Sequence, residues 1–419
     1  MILFATYVLL LVVSMLVVGW FQRRVTSHDL TSLKTVTFGD ESAVYSNRAA
    51  SIISVLAIFL IWGAFTGSRL TPIHVPGPFV GQASFKYSAI NNAGEQGEGL
   101  VKINVYGPGA NSDAPDIIAG DGFAKNYSTA VSARRTVLLK LDANSAGPSS
   151  GTRVVAINGK PIELGKTVEV ESGKVILTDN NSLLFEPNGG LQMDPIWLPS
   201  PESVATRFMN IVKNGYQNSS LWQHVGASVM RVLAGFVVGS IVGIPLGYAM
   251  GLSSWFRGWF DPIVEFMRPV PPLALIPLII IWFGIGEVGK IILLFLATLW
   301  IMVIAARAGV AGVRISKIHA AYSLGASKWQ ILYHVIIPNS LPDIFTGARV
   351  AMGVCWGTVV AAELVAAQRG VGMMILVASK FQLTDVVLMG IIVIGIIGYV
   401  IDISMRVSER FLVPWKGRA

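Results

Sequence analysis

The chain has 419 residues, 53% of them hydrophobic and only 13% charged, a balance that excludes an ordinary soluble protein of this length and makes the bilayer its solvent. The formal charge of +8 is not a nucleic-acid footprint: residues 67–222 hold 13 basic and 13 acidic side chains, and the excess, 19 basic against 11 acidic, lies in or beside apolar runs, which is a positive-inside distribution. The single cysteine, Cys355, stands in an apolar run, which excludes an intrachain disulfide and any metal-binding cysteine spacing.

Crossing a hydrocarbon core of about 30 Å takes roughly 20 helical residues. Two runs of that kind open the chain, residues 2–21 and 49–67. The first is uncharged, is closed by Gln22, Arg23 and Arg24, and lacks both a basic leader and a small-residue cleavage site, so it reads as a span rather than a removed signal peptide.

Between Thr66 and Trp197 the pattern changes to short alternating runs separated by Gly, Asn, Asp and Pro, the pattern of strands and tight turns. The clearest strands are 84–87, 101–105, 137–141 and 168–170, and an antiparallel β-sandwich of roughly 100 to 130 residues fits them. The segment from Gly81 to Val105 and the segment from Asn158-Gly159 to Asn188 resemble parts of the cadherin-like or immunoglobulin-like repeats of bacterial surface proteins, in an order that implies permuted strands. Calcium is a possible ligand of such folds, but Asp142-Ala143-Asn144 matches acidic calcium motifs poorly and suits a turn equally well.

Five further spans follow, at 225–250, 263–283, 291–306, 348–367 and 386–405. Within them Arg231 and Arg349 are tolerable only near span ends or facing protein. Basic residues follow the first span (Arg23, Arg24, Lys34, Arg48), the fifth (Arg307, Arg314, Lys317, Lys328) and the last (Arg406, Arg410, Lys416, Arg418). With seven spans all three groups share one side, which puts the N-terminus outside, the C-terminus inside and residues 68–222 outside.

Ionisable groups in or near apolar segments are expensive and therefore functional candidates; Arg268 and Glu363 are the two, with a structural pair or interface as the plainer explanation. Prolines at 269, 271, 272 and 277 interrupt helix hydrogen bonding, so the span from residue 263 is expected to be broken and to serve as a gate, with Pro271 and Pro272 at its centre. Trp282, Phe283 and Trp356 read as interface anchors or as lining of a path. There is no G-x-x-x-x-G-K-[ST] phosphate loop and no convincing Ser/His/Asp arrangement, so the chain reads as a non-enzyme without a metal or bound cofactor.

From Leu198 to Trp415 the chain resembles the inner-membrane permeases of the nitrate, sulfonate and taurine class of ABC importers. The resemblance is carried by Leu198-Pro199-Ser200-Pro201, by Arg268-Pro269-Val270-Pro271-Pro272-Leu273-Ala274-Leu275-Ile276-Pro277, by Trp282-Phe283-Gly284-Ile285-Gly286-Glu287 and by Ala361-Ala362-Glu363. Above all, His319-Ala320-Ala321-Tyr322-Ser323-Leu324-Gly325-Ala326-Ser327 followed by Ile336-Ile337-Pro338 looks like that family's ATPase-docking loop. Ala320 and Ala321 let a partner approach closely, Gly325 suits the turn that ends a short helix, and Pro338 suits the start of the next segment. His319 departs from the Glu usual there, and histidine cannot replace a carboxylate's charge.

The resemblance implies a type I importer permease fold of about seven helical spans carrying an inserted all-β sandwich. Its parts are an extra N-terminal helix and cytoplasmic connector (1–48), a first core helix (49–67), the sandwich on the periplasmic side (68–197) and a core (198–419) with a docking loop at 311–343. It implies a multi-pass protein of the bacterial inner membrane that moves a small anion such as nitrate, taurine or an alkanesulfonate. The implied partners are an ABC ATPase dimer, which uses the ATP, a second permease copy and an extracytoplasmic solute-binding protein. Two other readings stay open on the residues alone: a membrane-anchored surface or sensory protein working through its sandwich, and an ATP-independent channel or carrier.

Overall fold

The computed structural model of the chain describes residues 2–25, 48–91, 93–107, 110, 113–118, 124–139 and 153–415. They fall into two compact units, Met1–Glu202 and Ser203–Ala419. The connector after the first span and Asp142-Ala143-Asn144 lie outside the described residues.

In the first unit α1 (Ile2–Val25) and α2 (Arg48–Thr66) pack against each other. The strands are β1 (Gly81–Ile90), β2 (Gln96–Tyr106), β3 (Tyr127–Ser132), β4 (Val137–Leu139), β5 (Arg153–Ile157), β6 (Lys160–Pro161), β7 (Thr167–Val170), β8 (Gly173–Leu177) and β9 (Leu183–Pro187). They form one sheet in the order β3-β2-β1-β5-β6 and another in the order β4-β9-β8-β7. Apolar residues at alternate positions point inward from both sheets, and Phe85 of β1 stacks on Phe185 of β9 with ring centroids 5.9 Å apart. That is the shared core of a sandwich. Asn158 and Gly159, both at positive φ, turn β5 into β6, as an Asn-Gly pair between strands should. One expectation is corrected: β3 runs parallel to β2, so the first sheet is mixed. The 20 residues between those strands, 107–126, are long enough for the crossover that a parallel pair needs.

The second unit is helical: α3 (Pro201–Asn214), α4 (Leu221–Leu252), α5 (Ser254–Met267), α6 (Ile276–Phe283), α7 (Glu287–Ala311), α8 (Ile315–Ser323), α9 (Lys328–Ile331), α10 (Ile337–Ala366), α11 (Val371–Lys380) and α12 (Thr384–Leu412). Ser220 caps α4 and shares a reciprocal capping box with Gln223, which satisfies two of the amide donors left open at a helix start. Along α4 a glycine recurs every fourth residue from Gly235 to Gly251, on the face against α7. A Cβ at Gly239 would fall 2.6 Å from Thr298 Cβ, and one at Gly247 would fall 2.5 Å from the Val303 carbonyl oxygen. Only glycine permits this approach, and close backbone contact replaces the hydrophobic drive that lipid cannot supply. On the other side of α7, Gly309 of α7 meets Ser340 of α10, and Gly347 of α10 meets Ala305 of α7.

Among the described residues five helical runs are long and apolar enough to cross a membrane, at Ala49–Thr66, Leu221–Leu252, Glu287–Ala311, Lys328–Val365 and Thr384–Leu412. The run expected at 263–283 is two helices, α5 and α6, meeting at 92°, and it counts as a sixth span if the bent pair is one. Pro271, which cannot donate, precedes a 3-10 turn at Pro272–Leu275, so the break is the one the proline cluster imposes. α1 adds a 24-residue helix.

Candidate functional site

The first candidate site lies where α7 ends and α10 begins. His319, Ala320 and Ala321 are on α8, which closes at Ser323; Leu324, Gly325 and Ala326 form the turn after it. Gly325 takes φ +81, its N–H donates to the Tyr322 carbonyl at 2.9 Å, and the N–H of Ala326 donates to the Ala321 carbonyl at 3.1 Å. These two bonds are a Schellman cap, with glycine at the one position whose left-handed backbone a Cβ would strain. Ser327 then caps α9 through a box with Gln330. Lys317 Nζ donates to Asn339 Oδ1 at 2.6 Å, tying α8 to the first turn of α10.

The turn therefore has a fixed shape, yet its apolar side chains are uncovered: Leu324 is 88% exposed, Trp329 79% and Tyr333 70%. His319 is exposed, and its carbonyl accepts the Ser323 hydroxyl at 3.0 Å. Pro338 is not grouped with the other six and opens no separate segment. It follows a π-helical stretch, Leu332–Ile336, within one continuous helical run from α9 into α10. The wider π turn removes the clash that a proline ring makes with the carbonyl four residues back. The Pro338 carbonyl accepts the indole N–H of Trp415 at 3.2 Å.

The second candidate site lies at the opposite end of α7 and α10. Glu363, near the end of α10, is buried and accepts from Arg231 Nη1 at 2.6 Å, Ser228 Oγ at 2.7 Å and the Gly372 N–H at 3.0 Å. Arg231 turns its other nitrogens to Glu287 at the start of α7, at 2.5 and 2.8 Å, and Lys290 reaches the same carboxylate at 3.0 Å. His224 Nδ1 accepts the Gly370 N–H at 3.1 Å, so its Nε2 carries the proton toward the Tyr216 carbonyl at 3.0 Å. Two cations meet two carboxylates, and each buried oxygen of Glu363 has a donor, the condition under which a buried ion pair holds. The cluster joins α4, α7, α10 and the loop into α11.

Of the expected path residues, Glu363 belongs to this tie and faces protein. Trp356, in the middle of α10, is buried, donates its indole N–H to the Ile394 carbonyl at 3.2 Å, and is neither an interface anchor nor exposed lining. Arg268 and Trp282 are exposed, on opposite arms of the α5/α6 break that Pro271 and Pro272 make. The structure thus does not bring the six together. Arg349, as expected of a charge within a span, faces protein, paired with Glu409. The partners of Arg231 were not among the expected site residues, although His224, Ser228 and Arg231 stand at i, i+4 and i+7, one face of α4, in an otherwise apolar run. No group of three or more His, Cys, Asp or Glu side chains suited to a metal occurs among the described residues.

Comparison with known proteins matches residues 228–413 to the family described as binding-protein-dependent transport system inner membrane component. The taurine transport system permease protein TauC of Escherichia coli is 48% identical over 226 residues, 54% of this chain and 82% of that protein. The putative aliphatic sulfonates transport permease protein SsuC of Bacillus subtilis is 34% identical over 277 residues, 66% of this chain and 98% of that protein. Among solved structures, an inward-facing MetNI methionine ABC transporter chain aligns at 19% identity and a TM-score of 0.41, covering 45% of this chain and 96% of that one. With four fifths of a relative matched at close to half identity, the chain belongs to the binding-protein-dependent transport system inner membrane component family, as a permease of the ABC importer class that includes the taurine and aliphatic sulfonate permeases.

Proposed function

We propose that this permease forms the path for taurine or a related small aliphatic sulfonate and is driven by a separate ATPase dimer that seats on α8, the turn after it and α9. A second copy of the chain completes the path. A solute-binding protein delivers the solute on the periplasmic side, where the sandwich of residues 68–197 stands. The observation that carries the ATPase contact is Leu324, 88% exposed on a turn held by two capping bonds. A large apolar side chain held out on a rigid turn, ahead of the apolar run that opens at Lys328, marks a protein contact. The 48% identity to a taurine permease supports the solute class. In this reading nucleotide favours one of two packed arrangements, and the Lys317–Asn339 bond passes motion of α8 into α10.

The test is uptake of radiolabelled taurine into vesicles that contain the chain, its ATPase and its binding protein. Uptake should require ATP and be competed by ethanesulfonate. Equal uptake without nucleotide would establish a channel or carrier instead. Failure of the solubilised chain to retain any ATPase would favour an anchored surface or sensory protein.

A further inference from the structure

Helix α2 has 19 residues, about 28 Å at roughly 1.5 Å per residue, so it spans a hydrocarbon core of about 30 Å with nothing to spare. Its last turn is closed by the chain itself, both by a residue just past the helix and by segments farther along. The Gly63 carbonyl accepts the Ser68 N–H at 3.0 Å, the Ala64 carbonyl accepts the Val75 N–H at 3.2 Å, and the Phe65 carbonyl accepts the Met193 N–H at 2.8 Å. One turn deeper, the Trp62 indole N–H donates to the Pro199 carbonyl at 2.8 Å. The last carbonyls of a helix lack intrahelical partners, and where water is scarce protein must supply them.

These bonds set the depth of two segments, 68–80 and 188–199, which together make a neck below the sandwich. The neck is stiff: Phe79 donates to the Asn188 carbonyl at 2.8 Å, Leu191 to that of Pro76 at 2.7 Å, and Arg134 Nη2 to that of Gln192 at 2.6 Å. At Gly190 a Cβ would lie 2.2 Å from the Gly77 carbonyl oxygen, so the two segments touch backbone to backbone. Around this polar centre the neck turns large apolar side chains outward: Ile73 is 78% exposed, Trp197 79%, Leu191 63% and Leu70 60%. In water such a collar is unfavourable, because apolar surface gains by leaving water. At the level of α2's last turn it faces the acyl and headgroup boundary, where apolar side chains and tryptophan are stabilised.

We infer that this collar is a lipid-binding surface: the neck sits in the interfacial layer of the leaflet in which α2 ends and holds the sandwich at the membrane surface on a rigid mount. Its occupant is the bilayer, because the collar follows directly on a membrane helix whose exposed side chains, among them Val55, Leu56 and Leu60, are apolar.

Cys355 is buried, so cysteines placed at Trp197, Ile73 and, as a control, Leu164 can be labelled one at a time in the full-length chain with an environment-sensitive fluorophore. Leu164 is equally apolar and 53% exposed but lies on the sandwich. In phosphatidylethanolamine and phosphatidylglycerol vesicles, labels at 197 and 73 should emit to the blue and resist iodide. Lipid spin-labelled near the headgroup should quench them at least twofold, while the label at 164 shows the reverse. In the chain without added cysteines, brominated lipid should quench a component of the tryptophan emission that W197F removes. Iodide quenching at 197 and 73 equal to that at 164 would overturn the inference. So would protection from iodide without lipid quenching, which would mean that protein covers the collar.

Discussion

The two ends of the α7 and α10 pair solve opposite problems. At one end Arg231, Glu287, Lys290 and Glu363 bring four ionisable groups together, two of them carboxylates, and Arg231, Lys290 and Glu363 are buried. At the other end Leu324, Trp329 and Tyr333 leave apolar surface bare. Buried charge is tolerated when it is paired and hydrogen-bonded, and here Ser228, Arg231 and Gly372 of the same chain supply what Glu363 needs. Exposed apolar surface on a rigid turn marks a contact surface, and in the proposed function another protein covers the second end. A substitution at the first should therefore act on folding, and one at the second on assembly.

The largest effect is expected at Arg231. Arg231→Met leaves Glu363 buried without its cation, a loss of about 3–5 kcal/mol, which should appear as a sharp drop in Tm of the detergent-solubilised chain and in the amount reaching the membrane. The double variant Arg231→Met with Glu363→Met replaces both charges by apolar bulk and should recover much of that loss. A double variant no better than the single one would show that the tie is not self-contained.

Next comes the α4–α7 seam between the two ends. Gly247→Val places a Cβ where the Val303 carbonyl and the Ala306 side chain already stand; backbone cannot yield as a flexible side chain can. Overpacking of this kind costs about 1–3 kcal/mol. The same change at Gly258, with no atom within 4 Å of its Cβ position, should shift Tm far less, and the difference between the two variants measures the seam.

How much of this the sequence showed follows the same division. The turn after α8 was legible because its signal is local: a glycine past a short helix. The spans were legible because lipid demands long apolar runs. The charge tie was not, because His224, Arg231, Glu287, Glu363 and Gly372 come from four stretches that only the helix packing unites; taken singly, Glu363 reads equally as a path residue or as half of a structural pair with no partner identified. The parallel pairing of β2 and β3 was hidden for the same reason, since alternation marks a strand and not its direction. Pro338 misled in the other direction: a proline signals a helix start, and the π turn that lets the helix run through it has no sequence mark as strong.

A smaller effect is expected at Glu202, outside the spans. Burial raises its pKa, but hydrogen bonds from Ser68 Oγ at 2.7 Å and the Arg69 N–H at 2.7 Å outweigh burial and hold the carboxyl below the usual carboxylate range. With the folded value below the unfolded one, this contribution is present in full above the unfolded pKa and fades as pH falls through the folded value. Tm measured from pH 7 down through the carboxylate range should fall less for Glu202→Gln than for the native chain. Parallel curves would remove Glu202 from the acid response.

The smallest effect on folding should accompany the largest effect on assembly. Leu324 is 88% exposed and its backbone N–H, not its side chain, makes the cap to the Ala320 carbonyl at 3.2 Å. Leu324→Asp removes no buried contact and leaves Gly325 in its left-handed conformation, so Tm should move by no more than about 0.5 kcal/mol equivalent. If an ATPase covers this ledge, the variant buries a carboxylate against apolar surface, and the amount of ATPase recovered with the solubilised chain should fall at least tenfold. Leu324→Met keeps the bulk without the charge and should retain it. A variant that loses stability together with the ATPase would make the turn a folding element like the opposite end, and the contrast between the two ends would collapse.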